Sequence, residues 1–294
     1  MKATTHTEVY RPFEGSPLQH PLRPWVLALS AWKVGFKKKL PALLLYGPVA
    51  IFAIISCFRV YLGYVGLEIL EGQALAGPML QEVLGKGLDN VVNCLQGSMV
   101  FGLLVVGWYG SGLIAEDARL GANLLIFSRP ITRSHYILGK LLAVAGFGSL
   151  ATVLPTLVIC VMAGFASPEW AFLKEEWLSI LTAVVYSLFL VASLSLFILA
   201  ISSLCTRKSY ALNASIGLIL LTGAVGGVLE ELLGDERFEL LAVMTNFDRL
   251  ANWMILGEAA RGPGILASTM VIFALWVASL FILAHRVRKL EVVA

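Results

Sequence analysis

Residues able to do chemistry are sparse in this chain, and most of them crowd into one segment. It runs from Gly112 to Lys140 and holds Glu116, Asp117, Arg119, Gly121, Leu124, Leu125, Phe127, Ser128, Arg129, Pro130, Thr132, Arg133, Tyr136 and Gly139. Glu116 and Asp117 are expected to end the apolar run before them. Gly121 permits a tight turn, and Leu120, Leu124 and Phe127 share one helical face. Pro130 stops that helix and Thr132 caps the next one. The expected product is a short amphipathic helix that offers Arg129 and Arg133 to a partner.

Elsewhere the chemistry does not assemble. Glu230 and Glu231 pair two carboxylates, as an intramembrane hydrolase requires, but Arg237 follows too far along and no histidine lies in an apolar run to join them. His6 and His20 sit in a polar leader, His135 in a loop and His285 in a basic tail. Ser111, between Gly110 and Gly112, lacks a histidine at comparable depth. Cys57, Cys94, Cys160 and Cys205 lie in or beside apolar runs, far from one another and without ligand or redox spacing, and read as small hydrophobes. No catalytic residue and no metal ligand set is assigned. No G-x-x-x-x-G-K-[ST] phosphate loop occurs, so this chain does not hold ATP in that manner.

The elements that must position these residues follow from composition. Of 294 residues, 58% are hydrophobic and 14% charged, with a mean hydropathy of +0.83. A soluble domain of this length would carry about thirty more charges, so the main solvent is lipid and a soluble enzyme is excluded. Six runs free of Asp, Glu, Lys and Arg approach or exceed the length of a span: Pro41 to Phe58, Cys94 to Ala115, Leu141 to Ala166, Trp177 to Cys205, Tyr210 to Leu229 and Ile265 to Ala284. Pro155 should kink the third. The predicted fold is therefore an all-α polytopic membrane protein with a leader and elbow over 1–40 and a six-helix domain over 41–294.

With both termini cytosolic, sixteen of the 22 basic residues fall in inner segments, including Lys37 to Lys39, Arg119, Arg129, Arg133, Arg207, Lys208 and Arg286. Most acids, among them Glu175, Glu176, Glu230, Glu231 and Asp235, fall outside. That is the positive-inside arrangement. The net charge of +3 is too small to indicate a nucleic-acid partner. Before the first span, Trp25, Leu29, Trp32 and Phe36 recur at helical spacing, the pattern of an interfacial elbow with its tryptophans at headgroup level. The last outer segment, 230–264, mixes acids with Leu232, Leu240, Phe247, Leu250 and Trp253 and reads as short amphipathic helices.

The segment 116–140 resembles the hallmark of ABC-2 type permeases, the membrane subunits of ATP-binding cassette exporters. Glu116, Gly121, Leu124, Leu125, Ser128, Arg129, Pro130, Arg133, Tyr136, Gly139 and Lys140 match it, and Ala122 stands where the family usually has threonine. Asn246-Phe247-Asp248-Arg249 with Gly257 is similar to the pattern before the last span in gliding-motility and nitrous-oxide-reductase-maturation permeases. The resemblance implies a permease dimer, each copy docking one cytosolic ATPase through Glu116, Asp117, Arg119, Gly121, Arg129, Pro130 and Arg133. ATP and Mg would belong to those two ATPase subunits, and this chain would bind no cofactor. It also implies the inner membrane of a bacterium, export of an amphipathic or bulky substrate, and room for a periplasmic accessory protein. Two alternatives stand beside it: force transmission to a periplasmic or surface partner without cargo, and an intramembrane hydrolase, disfavoured by the missing site.

Overall fold

The computed structural model describes residues 23–37, 39–66, 87–122, 126, 131–257 and 262–292. Regular structure among them is entirely helical: α1 (Arg23–Lys37), α2 (Lys39–Tyr61, continued by a π turn over Leu62–Gly66), α3 (Leu88–Leu120), α4 (Arg133–Ser149), α5 (Val153–Ala166), α6 (Ala171–Glu175), α7 (Trp177–Leu204), α8 (Lys208–Leu233), α9 (Val243–Leu256) and α10 (Ile265–Val292). Short 3₁₀ turns cover Pro168–Trp170 and Glu236–Leu241. Six helices are long and apolar enough to cross a membrane: α2, α3, α4 with α5, α7, α8 and α10.

Helices α2, α3, α8 and α10 run past their charge-free segments, because charge limits how deep a residue sits and not whether it is helical, whereas α7 stops at Leu204, one residue short of its run. The clearest correction concerns α3. Glu116 and Asp117 do not end it. The helix continues one turn to Leu120 and stops where Gly121 adopts a left-handed conformation (φ 68°, ψ 15°), its N–H donating to the Asp117 carbonyl. At 33 residues α3 is about 50 Å long, well beyond a hydrocarbon core of about 30 Å, so its charged last turn can project past the lipid.

The third span does break, three residues before Pro155. Gly148 C=O accepts from Ala151 N (2.9 Å) and Thr152 N (3.1 Å), a tightened turn, and α5 begins at Val153. Pro155 has no N–H to return to the Ala151 carbonyl. The hydroxyls of Thr152 and Thr156 donate to the carbonyls of Gly148 and Thr152, at 3.3 and 2.8 Å, so the bend leaves fewer polar groups bare.

Helices α3 and α7 form the centre: 61% of the apolar window of each is buried, against 6% for α2 and 17% for α8 and α10. Their contact depends on small and hydroxyl residues. Gly110 lies against Ile198 and Val144, where even a Cβ would be tight. The Ser202 hydroxyl donates to the Ser111 carbonyl at 2.7 Å and accepts from Ala115 N at 3.2 Å. The Gly-Ser-Gly motif is thus a helix crossing.

The same device seats α1. Gly139 leaves room for Leu27, Gly146 for the Trp32 ring, and Gly35 for Phe147. These contacts ascend together, so α1 and α4 run side by side in one direction. Trp32 Nε1 donates to the Ala143 carbonyl at 2.8 Å, and Phe36 packs 5.1 Å from Phe147. Trp32 is therefore a packing residue, while Trp25, edge-on to it at 5.3 Å, and Phe36 remain more open, each 43% exposed.

A Cβ at Gly146 would collide with the indole of Trp32, whereas one at Gly223 would meet nothing within 4 Å. Gly146→Val should therefore displace α1 and lower stability by about 1–3 kcal/mol, the usual cost of overpacking. Gly223→Ala should be neutral or stabilising. Thermal unfolding in nanodiscs, with tryptophan fluorescence reporting Trp32, distinguishes the two.

Candidate functional site

The charged residues gather at two ends of the bundle, one basic and one acidic. At the basic end, Thr132 caps α4 as expected, its hydroxyl accepting from His135 N at 3.3 Å. The cap fixes the start of α4 so that Tyr136 and Lys140, one turn apart, face the last turn of α3. Asp117 Oδ2 accepts from the Tyr136 hydroxyl at 2.8 Å and from Lys140 Nζ at 2.6 Å. Tyr136 is fully buried, and Lys140 and Asp117 are 12% and 19% exposed. A carboxylate, a phenol and an ammonium thus close the base of the α3–α4 hairpin as a near-neutral clamp.

Glu116, one residue earlier, faces a different neighbour. It lies with Lys208 of α8 against Gly112, whose missing Cβ lets both side chains approach. Lys208 Nζ also stands 4.3 Å above the Trp108 ring. Arg286 of α10 donates through Nε to the Ser203 carbonyl at 3.1 Å, a cation at the carbonyl end of α7. Consecutive acids on α3 therefore serve separate helices: Glu116 looks to α8 and Asp117 to α4.

Arg119 and Arg133 are exposed beside this clamp, and Gly121 terminates α3 between them. Arg129 and Pro130 lie outside the described residues, as do Leu124, Leu125, Phe127 and Ser128 of the expected amphipathic helix. Among the described candidates the structure brings Asp117 into a bonded cluster and leaves Arg119 and Arg133 at its rim. Tyr136, Lys140 and Lys208 complete the cluster. The sequence did not assign them as site residues: a Tyr and a Lys four apart share one helix face, but nothing local points that face at Asp117.

At the acidic end, α9 packs against α3, α7, α8 and α10, not merely upon the surface. Phe247 is buried, 6.3 Å from Phe189, which stacks on Trp276 at 5.7 Å. The Tyr186 hydroxyl of α7 donates to the Phe247 carbonyl at 2.6 Å. Gly257 ends α9 in the left-handed conformation (φ 71°), which explains the glycine there. Asn246 Nδ2 donates to the carbonyls of Leu240 and Ala242, tying α9 to the preceding 3₁₀ turn. Arg249 forms an ion pair with Glu239. Burial lowers the Arg249 pKa, and the nearby Glu230 and Glu236 oppose that shift. Burial pushes the Asp248 carboxyl up to about 6.

Cys94 and Cys160 sit in one apolar core with Cys57 packed against it, so three thiols far apart in sequence share a neighbourhood. Among the described residues no group of three His, Cys, Asp or Glu side chains could hold a metal ion. Against known proteins, no family model matches this sequence and no curated protein is detectably similar to it.

The clamp makes an ordered prediction. Lys140→Met leaves a largely buried carboxylate without its cation and should cost about 3–5 kcal/mol. Tyr136→Phe removes one hydrogen bond and should cost about 1–2 kcal/mol. Asp117→Asn combined with Lys140→Met should recover part of the loss. Denaturation midpoints of the three variants in one detergent test that ranking.

Proposed function

We propose that this chain is the permease subunit of an ABC exporter of the ABC-2 type, set in a bacterial inner membrane with both termini cytosolic. It acts as a dimer with two copies of a separate ATPase. The observation that carries the reading is the 116–140 segment, with its acid, glycine, Ser-Arg-Pro and second arginine joining two spans. The clamp beneath it supports the same reading: because Asp117 ties α3 to α4, a push on the segment moves two spans as one lever. ATP-driven closure of the ATPase pair would rock the permease halves between inward-open and outward-open states. The elbow role of α1 and the outer-surface role of α9 belong to this reading, in which the basic end is cytosolic.

A dimer is needed because the centre of one bundle is filled. Leu95, Met99, Leu190 and Leu194 close it, and no span carries Asp, Glu, Lys or Arg at mid-depth. Gly47 of α2 and Gly217 of α8 are open positions where an added Cβ meets nothing, and Asn213 is exposed on α8. Ser215, two residues before Gly217 and also small, is excluded: it is fully buried in its own bundle and donates to the Ala211 carbonyl at 2.6 Å. The substrate is amphipathic or bulky, in keeping with spans whose exposed faces are apolar.

Force transmission without cargo is the second reading, favoured by one observation. Helix α3 carries Asp117 at one end and contacts α9 at the other, so movement of the clamp reaches the outer cap through a single rigid element.

Purified alone the chain should hydrolyse no ATP. Co-expressed with its ATPase, Arg129→Ala or Glu116→Ala should leave membrane insertion intact while weakening ATPase association by about 2–5 kcal/mol or uncoupling hydrolysis from transport. Co-purification and reconstituted transport that are unchanged in both variants would defeat the coupling role. For the dimer, Gly217→Cys should cross-link between copies in native membranes and Ser215→Cys should not. Cross-linking confined to Ser215→Cys, or a monomer by native mass spectrometry with full transport, would overturn it.

A further inference from the structure

The outer helix α9 carries a carboxyl group at the edge of its docking surface. Val243, Phe247, Leu250, Ala251 and Ile255 are buried against the spans; among them Asn246 Nδ2 and Arg249 Nη2 find partners within the outer segment, while Asn246 Oδ1 and Arg249 Nη1 are buried without one. Asp248 is partly buried beside this surface. Its Oδ1 is out of contact with solvent and has no hydrogen-bond donor among the described residues. The side chain of Asn252 is spent on the Asp248 backbone carbonyl, at 2.9 Å. The Tyr186 hydroxyl, the phenol nearest Asp248 on α7, is spent on the Phe247 carbonyl.

We propose that α9 is a proton-dependent cap on the acidic end of the bundle, held down when Asp248 is protonated and loosened when Asp248 is ionised. This is independent of the transport reading, since it concerns only how α9 docks on its own chain. Docked, one carboxylate oxygen, Oδ1, has exchanged water for a surface that supplies it no donor, which disfavours the ionised form relative to the neutral acid. Lifted into water, the same group titrates in the ordinary carboxylate range. Docking therefore takes up a proton.

Burial sets that direction, and the charged groups on the neighbouring elements are mostly acids. Among elements packed on α9, α7 presents Tyr186, α8 brings Glu230 and Glu231, the 3₁₀ turn brings Glu236, Arg237 and Glu239, and α3 brings Asp89. Described residues of α10 supply no titratable group until His285 at the opposite end. Arg249, the cation nearest in sequence, is committed to Glu239.

The sign and window follow from linkage. Asp248 is raised from an ordinary value near 3.8 to about 6 in the docked state. Below about pH 4 both states hold the proton and docking is at full strength. Between pH 4 and 6 only the docked state holds it, and docking weakens about tenfold per pH unit. Above pH 6 it levels off, after a total loss of about 100-fold.

Hydrogen exchange of the full chain in nanodiscs reads this directly, with rates corrected for intrinsic pH dependence. Protection of α9 amides should fall about 100-fold from pH 4 to pH 7 relative to α1, which carries no carboxyl group. Asp248→Asn should hold high protection at every pH, and Glu239→Gln should keep the wild-type pH profile. A wild-type profile for α9 that parallels α1 overturns the proposal. So does an unchanged pH dependence in Asp248→Asn, or its loss in Glu239→Gln alone. Should Asp248→Asn fail to fold, the wild-type and Glu239→Gln profiles decide the matter.

Discussion

An ionised side chain at the centre of a bilayer costs at least about 2.5–3.5 kcal/mol, and the architecture of this chain follows from paying that cost nowhere. Its spans are free of Asp, Glu, Lys and Arg at mid-depth, so the groups able to form an ion pair or hold a partner by charge are pushed to one end or the other. The result is two chemically distinct poles joined by apolar helices. One pole is built on Asp117, Lys140 and Lys208, the other on Asp248, Arg249 and Glu239. Charge is confined to the poles, and apolar helix contacts hold them apart.

How the middle holds together is a matter of close approach. With lipid outside as apolar as the helix faces, there is little hydrophobic gain in bringing spans together, and van der Waals contact with a few hydrogen bonds must suffice. Gly110 against Ile198, Gly146 against Trp32 and Ser202 between Ser111 and Ala115 are contacts of that kind. Each trades side-chain bulk for backbone proximity. The uneven burial of the spans has the same origin, since α3 and α7 carry small residues on several sides while α2 presents bulky ones such as Leu43, Ile51 and Phe58 to its surroundings.

The number and rough extent of the apolar helices were legible in the sequence because they depend on local composition alone. The break before Pro155 and the cap at Thr132 were legible because each follows from the covalent chemistry of one residue. The turn beyond Asp117 was not, since the end of an apolar run marks where lipid stops, whereas the end of a helix is set by Gly121. The clamp itself was hidden for another reason. Asp117 and Tyr136 are 19 positions apart, and nothing local shows that α4 turns its Tyr136 and Lys140 edge toward α3. Ser215 and Gly217 looked equivalent by residue type and differ only in which face of α8 meets the bundle. Arg129 and Pro130, on which the resemblance leans, lie beyond what the structure describes.

The two poles are not independent, because α3 belongs to both. Its last turn bears Glu116 and Asp117, its middle is locked to α7 through Ser202, and its first half contacts α9. A packed helix of this length cannot bend gradually, since its neighbours admit discrete arrangements and resist continuous deformation. A displacement applied to Asp117 must therefore either break the clamp or move α3 and α4 together. The clamp favours the second outcome: separating its partners would leave a carboxylate and an ammonium largely buried and alone, which is dearer than shifting two helices across apolar contacts. The contact between α3 and α9 joins the two poles through one helix.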